Sequence, residues 1–476
     1  MSQRTEFYGD RGVAVLASYT RTRHPVGGLD RLTPLLQHLG PLIETAVDAQ
    51  QVAAVLEAHG YNDRMVLERY GYPNVFELAE ALYRIAPRRA AASRRKANRL
   101  PETLRELSHG LFYGMPGLFF PAVFAWAGSR EATLGLILSA ILGWAWSQGM
   151  IRLAYVLMGR GFFAEARRLL HTMLFLGLGL AVLVALLLQA DLALSTLVVL
   201  QSAYHMASSI LLLYKRELWL LLAALPAVLA GVLFLWFPEL LGATGTVTVM
   251  MGSVLLSVAA ALLELRTRAG HSPWKVLQKA DWLDAIPLVL YGLFSAIFVF
   301  INPFWHWVTG TSIVLGLAVV PLVLSMGGLE WQLRVFLERV SLLLASTSDL
   351  RVFARNINRI FLSALASYAA LLLVLSLLTK VFFGLNSPAS EVFLLANFLL
   401  GIGFFVAFTL TSMNRTLRVL LGMLLALLVY AVAFALSIQG LLPLDESVSY
   451  LIGCGVFTSY LLLVALPVLR ELRNYQ

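Results

Sequence analysis

Twelve stretches of this chain are each long and apolar enough for a helix to cross about 30 Å of hydrocarbon, which takes roughly 20 residues. They lie near 108–128, 132–158, 165–189, 192–214, 217–237, 244–265, 283–303, 310–335, 357–380, 389–412, 417–438 and 447–469. In lipid every backbone N–H and C=O must find its partner within the protein, so only helices or a closed barrel can span. Segments this long and this evenly apolar are not barrel strands. The composition agrees: 59% of the 476 residues are hydrophobic and 13% charged, with a mean hydropathy of +0.78, where a soluble domain is roughly a quarter charged. A soluble enzyme, a disordered chain and a nucleic-acid-binding domain are excluded, although the isoelectric point is near 9.7.

The basic residues set the orientation. One set of short loops holds Arg160, Arg167, Arg168, Lys215, Arg216, Arg266, Arg268, Lys275, Lys279, Arg351, Arg355, Arg415, Arg418, Arg470 and Arg473, and the opposite set only Arg130 and Lys380. By the positive-inside rule both termini are cytoplasmic. Cys454 is the single cysteine, so no internal disulfide forms. Residues 1–107 carry 15 Lys and Arg against 12 Asp and Glu, and lack the basic start and apolar run of a cleavable signal.

Those 107 residues read as a separate cytoplasmic helical domain with a basic linker. Gly60 and Gly71 are helix stops, each followed by a new cap, Asn62-Asp63 and Pro73-Asn74. Asn74-Val75-Phe76-Glu77 reads as a capping box that opens a helix carrying Phe76, Leu78, Ala79, Leu82 and Tyr83. A small bundle over about 28–87 is predicted. The run Arg88, Arg89, Arg94, Arg95, Lys96 and Arg99 leads into the first span, placed to touch anionic headgroups.

Six spans precede the cytoplasmic linker 266–281 and six follow it. The predicted fold is therefore an all-α membrane protein of about twelve transmembrane helices in two pseudo-symmetric six-helix lobes, 108–265 and 282–476. With an even number of spans per half, the repeat axis runs along the membrane normal. Three correspondences occur in one order: Met115-Pro116 with Ile286-Pro287, Ser147–Arg152 with Ser325–Glu330, and Phe163-Ala164 with Phe353-Ala354.

Polar groups inside spans are costly and face a cavity or a neighbour. Gln148 and Arg152 share a face of span 2 with Tyr155 beside them. Arg152 is either an anion contact, since a guanidinium binds phosphate or carboxylate in bidentate fashion, or it snorkels to headgroups or pairs with Glu330. Glu330 in turn either pairs with Arg334 one turn on or closes a gate with Arg152. Span 4 carries Gln201, Tyr204, His205 and Ser208 at i, i+3, i+4 and i+7, a stripe that points inward. It serves either helix–helix hydrogen bonding or the wall of a cavity in which His205 titrates. Asn397 in span 10 has no partner that the sequence names.

The segment Arg152-Leu-Ala-Tyr-Val-Leu-Met-Gly159-Arg160-Gly161 through Glu165-Ala166-Arg167-Arg168-Leu169-Leu170 resembles the span 2–3 junction of polysaccharide flippases, and Leu333-Arg334 through Arg359 resembles their span 8–9 junction. These flippases belong to the multidrug/oligosaccharidyl-lipid/polysaccharide (MOP) exporter superfamily. The resemblance implies a carrier that moves a lipid-linked oligosaccharide or polysaccharide precursor across the bacterial cytoplasmic (inner) membrane by alternating access; the polar residues expected along its substrate path are Gln148, Arg152, Gln201, Tyr204, His205 and Glu330. Its partners would be the lipid bilayer, the lipid-linked sugar and proteins of a polysaccharide synthesis pathway. Span 1 has no charge beyond His109, unlike the Arg- and Asp-bearing first span of lipid-II-type flippases. A non-transporting scaffold of the same fold is the rival reading. A membrane glycosyltransferase is a weaker one, because the first external loop, 127–133, holds Glu131 as its one acidic residue. No HExxH, Walker loop or Ser/His/Asp grouping is present, so neither an enzyme nor a cofactor is expected.

Overall fold

The computed structural model describes residues 32–43, 46, 48–85, 103, 110, 112, 120–266, 272–309, 318–346 and 350–471. Among them every regular element is a helix. The chain divides into two compact units, residues 1–98 with 341–349 and residues 99–340 with 350–476.

The first unit contains α1 (Thr33–Ile43), α2 (Ala49–Ala58), α3 (Asp63–Tyr70) and α4 (Val75–Ile85). Three of these helices are opened by side-chain oxygens that accept an otherwise orphaned N–H. Asp48 takes that of Gln51 at 2.7 Å, Asn62 that of Met65 at 2.9 Å and Asn74 that of Glu77 at 2.8 Å. Asp63 Oδ1 accepts from the Val75 N–H at 2.8 Å, which ties the start of α3 to the start of α4. Gly71 closes α3 with φ 76°, a backbone angle that favours glycine. Leu35, Leu39, Val52, Leu56, Val66, Leu78 and Leu82 form the buried core. Phe76 of α4 is 59% exposed, whereas Val75 is buried. The apolar stripe runs Val75, Leu78, Ala79, Leu82 at i, i+3, i+4 and i+7, from the first residue after the predicted Asn74 cap. The Arg88–Arg99 run lies outside the described residues.

The second unit begins, in its continuous part, with α5 (Phe120–Ala127). It continues with α6 (Ser129–Gly159), α7 (Phe163–Leu187), α8 (Leu192–Leu213), α9 (Glu217–Trp236) and α10 (Pro238–Glu264). A one-turn helix α11 (Pro273–Val276) leads to α12 (Lys279–Thr309), and α13 (Val320–Leu324) to α14 (Met326–Ser346). The last four are α15 (Leu350–Phe383), α16 (Pro388–Ser412), α17 (Thr416–Ile438) and α18 (Glu446–Val468). The protein is a multi-pass membrane protein: ten helices among the described residues are long and apolar enough to cross a bilayer.

Twelve spans were expected, and the difference falls on two stretches. Of 108–128, Gly110, Phe112 and the residues from Phe120 onward are described. In 310–335 the described residues begin at Ala318, and α13 and α14 meet at Ser325. Helix α14 then carries Glu330, Arg334, Glu338 and Arg339, too many charges for an apolar span. Pairing is local there, with Arg334 donating to Glu338 at 3.0 Å. In α10, Gly242 (φ 63°, ψ 172°) breaks the helix, so its long straight part starts where the apolar run of span 6 starts.

Small residues set the closest helix contacts. A Cβ added to Gly292 of α12 would lie 3.0 Å from Ala145 Cα of α6, and one added to Gly149 of α6 would lie 2.7 Å from Val289 Cγ2. On a neighbouring face, Gly135 and Gly143 of α6 leave room for Leu197 and His205 of α8. Helix α7 joins this group through Trp146 Nε1, which donates to the Met173 carbonyl at 2.9 Å. Helices α16, α17 and α18 pack on one another, and α12 touches both α6 and α17.

The ends of these helices are tied by ion pairs. Arg160, just past α6, donates to both oxygens of Asp281 in α12 at 2.6 and 2.8 Å. Glu264, at the end of α10 and only 8% exposed, accepts from Arg167 of α7 at 3.3 Å and Arg216 before α9 at 2.7 Å.

The α6–α12 contact makes a stability prediction. Gly292→Val forces two backbones apart and is expected to cost about 1–3 kcal/mol, the usual range for overpacking, seen as a lower thermal midpoint of the purified protein. Gly179→Val in α7, where an added Cβ meets nothing within 4 Å, leaves the midpoint nearly unchanged. Equal midpoints for the two variants would refute the close contact.

Candidate functional site

Helix α6 presents Gln148, Arg152 and Tyr155 at i, i+4 and i+7, spacing that stacks them along one side. Gln148 faces α12: a Cβ on Gly292 would lie 3.0 Å from its Cγ. Arg152 follows one turn later and is half-buried, with Nε enclosed and without a hydrogen-bond partner. Its charge reaches Asp281 of α12. That carboxylate is already engaged by Arg160, and it also accepts from the Gln278 N–H at 2.8 Å. In return the hydrogen-bonded carboxylate holds the Arg160 proton more tightly than usual. The guanidinium of Arg152 is thus left beside a carboxylate that another arginine has claimed.

Of the alternatives for Arg152, pairing with Glu330 is not seen among the described residues. The charge of Glu330, on α14, reaches Tyr155, which is 56% exposed, and Glu330 has interactions of its own. The repeat argument aligned the two residues in sequence, but correspondence under a repeat does not bring two side chains into contact.

The stripe of α8, with Tyr204 and Ser208 buried and Gln201 and His205 half-buried, divides between two neighbours. Gln201 and Tyr204 turn toward α9 and α10. There they line a cavity of about 30 Å³ with Ala224, Ala227, Met250, Ser253, Val254 and Ser257, which has room for about one or two waters. The Tyr204 hydroxyl donates to the Phe112 carbonyl at 3.2 Å. His205 turns toward α6 instead, its ring seated on Gly143: a Cβ there would lie 2.8 Å from His205 Cβ and 3.0 Å from Cδ2. The His205 carbonyl accepts from Ser147 of α6 at 3.4 Å and from Ser208 and Ser209 at 3.1 and 2.8 Å. Much of the stripe is therefore spent on holding helices together, as expected of hydroxyls facing a protein neighbour in lipid.

The six candidate residues fall into four places. Gln148 and Arg152 flank the α6–α12 seam, Gln201 and Tyr204 line the small cavity, His205 sits between α8 and α6, and Glu330 lies on α14. Among the described residues no group of three or more His, Cys, Asp or Glu is arranged to hold a metal ion.

Several polar contacts had no clear signal in the sequence. Asn397 of α16 donates through Nδ2 to the Phe393 carbonyl at 2.9 Å, and its Oδ1 accepts from the Tyr450 hydroxyl of α18 at 3.4 Å. The same hydroxyl donates to the Phe298 carbonyl of α12 at 2.9 Å. Ser325 shares a hydrogen bond of 2.9 Å with Tyr368 of α15. On α12, Tyr291 and Ser295 are buried one turn apart with hydroxyls that have no partner in hydrogen-bond geometry. Tyrosines in apolar helices read as packing residues until a partner carbonyl is placed beside them. The Asp281–Arg160 pair had a weak signal, since Asp281 stands at the mouth of span 7 and Arg160 in the turn after span 2.

No protein-family model matches the chain, and no curated protein is significantly similar to it. Among solved structures the chain is similar to a MOP superfamily transporter from Pyrococcus furiosus Vc1 (DSM3638), whose reversed binding-pocket polarity suggests a different function for that protein. The identity is 13%, with a TM-score of 0.44 over 78% of this chain and 96% of the other.

Proposed function

We propose that this protein is a carrier that moves an anionic, lipid-linked sugar precursor across the bacterial cytoplasmic membrane, with both termini on the cytoplasmic side. The observation that carries the reading is Arg152. A guanidinium well inside an apolar helix, with an enclosed Nε that no group among the described residues accepts from, is an expense that an anionic substrate group would offset. It lies about 10 Å, seven residues at 1.5 Å each, inside the end of α6, beside Gln148 on the face turned to α12. A phosphate reaching that depth would meet the guanidinium and the Gln148 amide together. The hydrocarbon tail would stay in the bilayer while spans of the two halves rock about the α6–α12 seam, each half forming one lobe. The domain before residue 108 is then placed to meet cytoplasmic partners of a polymer-synthesis pathway.

The Arg160–Asp281 clasp fits a gate at the basic-loop end of that seam, because it joins the end of α6 to the start of α12. The same seam favours one second reading. It is closed by glycine packing at Gly149 and Gly292, and a permanently closed seam would belong to a scaffold within a synthesis complex rather than to a carrier.

The test is flux of a fluorescent polyprenyl-phosphate-linked oligosaccharide in vesicles reconstituted with the full chain. Loss of a charge-assisted contact worth about 1.5–3 kcal/mol means that Arg152→Ala slows flux by roughly one to two orders of magnitude. Arg152→Lys restores part of it. Unchanged flux in Arg152→Ala, or no flux in the native chain, rejects the carrier reading, and the latter leaves the scaffold.

The gate carries its own prediction. Asp281→Asn keeps the shape but loses the ion pair, so a cysteine placed at Gln148 is expected to react several-fold faster with a membrane-impermeant maleimide added from the basic-loop side. Identical rates with and without the substitution would remove the gate.

A further inference from the structure

Arg355, Arg359 and Lys380 frame the apolar length of α15. At 1.5 Å per residue the run 360–379, between Arg359 and Lys380, is about 30 Å long, roughly the thickness of the hydrocarbon layer. The two arginines therefore lie at headgroup depth at the basic-loop end. They are exposed, as are Ser363, Ala366 and Ala370 further along the same face. Leu373 and Leu377 continue that face, 49% and 54% exposed. An apolar face turned to lipid thus runs up to two arginines one turn apart.

Like charges at i and i+4 repel, and neither Arg355 nor Arg359 has a hydrogen bond or ion pair among the described residues. A third arginine comes from α14, which meets α15 through the rings of Phe336 and Phe361, 5.8 Å apart. Arg339 of α14, also exposed, donates to Ser363 Oγ at 3.5 Å, one turn beyond Arg359. The first half answers the same situation with a carboxylate: Arg167 and Arg216 converge on Glu264. At α14 and α15 the carboxylate next in sequence, Glu338, is bonded to Arg334, and no described carboxylate meets the three arginines.

We propose that Arg339, Arg355 and Arg359 bind the phosphate of an anionic phospholipid whose acyl chains lie on the exposed face of α15. A guanidinium takes two oxygens of a phosphate at once. The lipid phosphate then bridges α14 and α15 as Glu264 bridges α7, α9 and α10. Depth and charge together select a lipid over a free ion, because the arginines stand at the level of headgroups and the face that continues from them is apolar. The site uses none of the six candidate path residues and does not rest on the carrier reading.

The experiment places a fluorophore at position 367 through Ser367→Cys, in the full chain, two turns past Arg359. The native Cys454 is buried, so the added thiol is the one labelled. The vesicles contain phosphatidylcholine and phosphatidylglycerol, and one lipid or the other has brominated acyl chains. Bromine quenches on contact, so quenching by the two lipids at equal mole fraction reports which of them occupies the face. Brominated phosphatidylglycerol is expected to quench several-fold more strongly than brominated phosphatidylcholine at position 367. Phe175→Cys, at an exposed site of α7 two turns past Arg167, is expected to show no preference, because Glu264 already meets that arginine. Arg355→Gln combined with Arg359→Gln changes two exposed side chains and removes the preference at 367, while quenching by brominated phosphatidylcholine stays the same. Lys215→Gln combined with Arg266→Gln, an equal loss of charge at exposed positions of the first half, leaves the preference in place. An equal preference at 367 and 175, its survival without Arg355 and Arg359, or its loss without Lys215 and Arg266 would mean a general surface potential and overturn the site. Loss of the preference on adding inorganic phosphate at fixed ionic strength would make the ligand a free anion and overturn the lipid assignment.

Discussion

Within a bilayer, hydrocarbon offers no hydrophobic gain for bringing two helices together, so contact must come from shape and hydrogen bonding. In this chain the contact on which the second unit turns is that of α6 with α12, made by Ala145, Gly149, Val289 and Gly292. Two backbones meet there with almost no side chain between them. Helix α6 uses a neighbouring face in the same way, receiving Leu197 and His205 of α8 over Gly135 and Gly143. One 31-residue helix thereby touches α7, α8 and α12, and the positions of Gln148, Arg152 and His205 all follow from which of its faces is occupied.

Given that frame, the polar side chains divide into those that hold helices together and those left without a partner. Ser147, Ser208 and Ser209 gather on one carbonyl, that of His205. Tyr204 and Tyr450 each reach across to a carbonyl of another segment. The buried carboxylates of Asp281 and Glu264 are each met by arginine at helix ends, where water is near and desolvation is cheaper. Arg152 is different in kind. Its neighbour Asp281 is already bonded twice to Arg160, and Nε has no acceptor among the described residues. A buried donor left unmet costs free energy on the order of 1–3 kcal/mol, which makes an external acceptor the economical explanation.

Much of the architecture was legible because spans leave a one-dimensional trace. The break at Gly242 coincides with the start of an apolar run, and the stops at Gly60 and Gly71 follow from local chemistry that sequence spacing preserves. The helix opened at Asn74 carries Phe76 as read, but which face is buried is set by Val75, Leu78 and Leu82, whose partners come from other helices. Of the alternatives for Arg152, pairing with Glu330 depends on the rotation of α6 and α14 about their own axes, which a repeat alignment does not supply. Spacing put Gln201, Tyr204 and His205 on one side of a helix, but that side is wide enough to meet α10 and α6 at once, so one stripe serves two interfaces.

A carrier needs two packings of nearly equal free energy and a low barrier between them. Interlocked large side chains would favour one packing and resist the other, since a close-packed interface tolerates few arrangements. A seam built on Gly149 and Gly292 interlocks only small groups, Val289 on Gly149 and Ala145 with the Gln148 stem on Gly292. What holds it at the basic-loop end is a bidentate pair between an arginine 38% exposed and a carboxylate 8% exposed. On the carrier reading, this is the contact whose charges an anion beside Arg152 would compete for. This coupling between an unpartnered guanidinium and a nearby breakable pair requires Arg152 and Asp281 to lie within electrostatic reach, as they do.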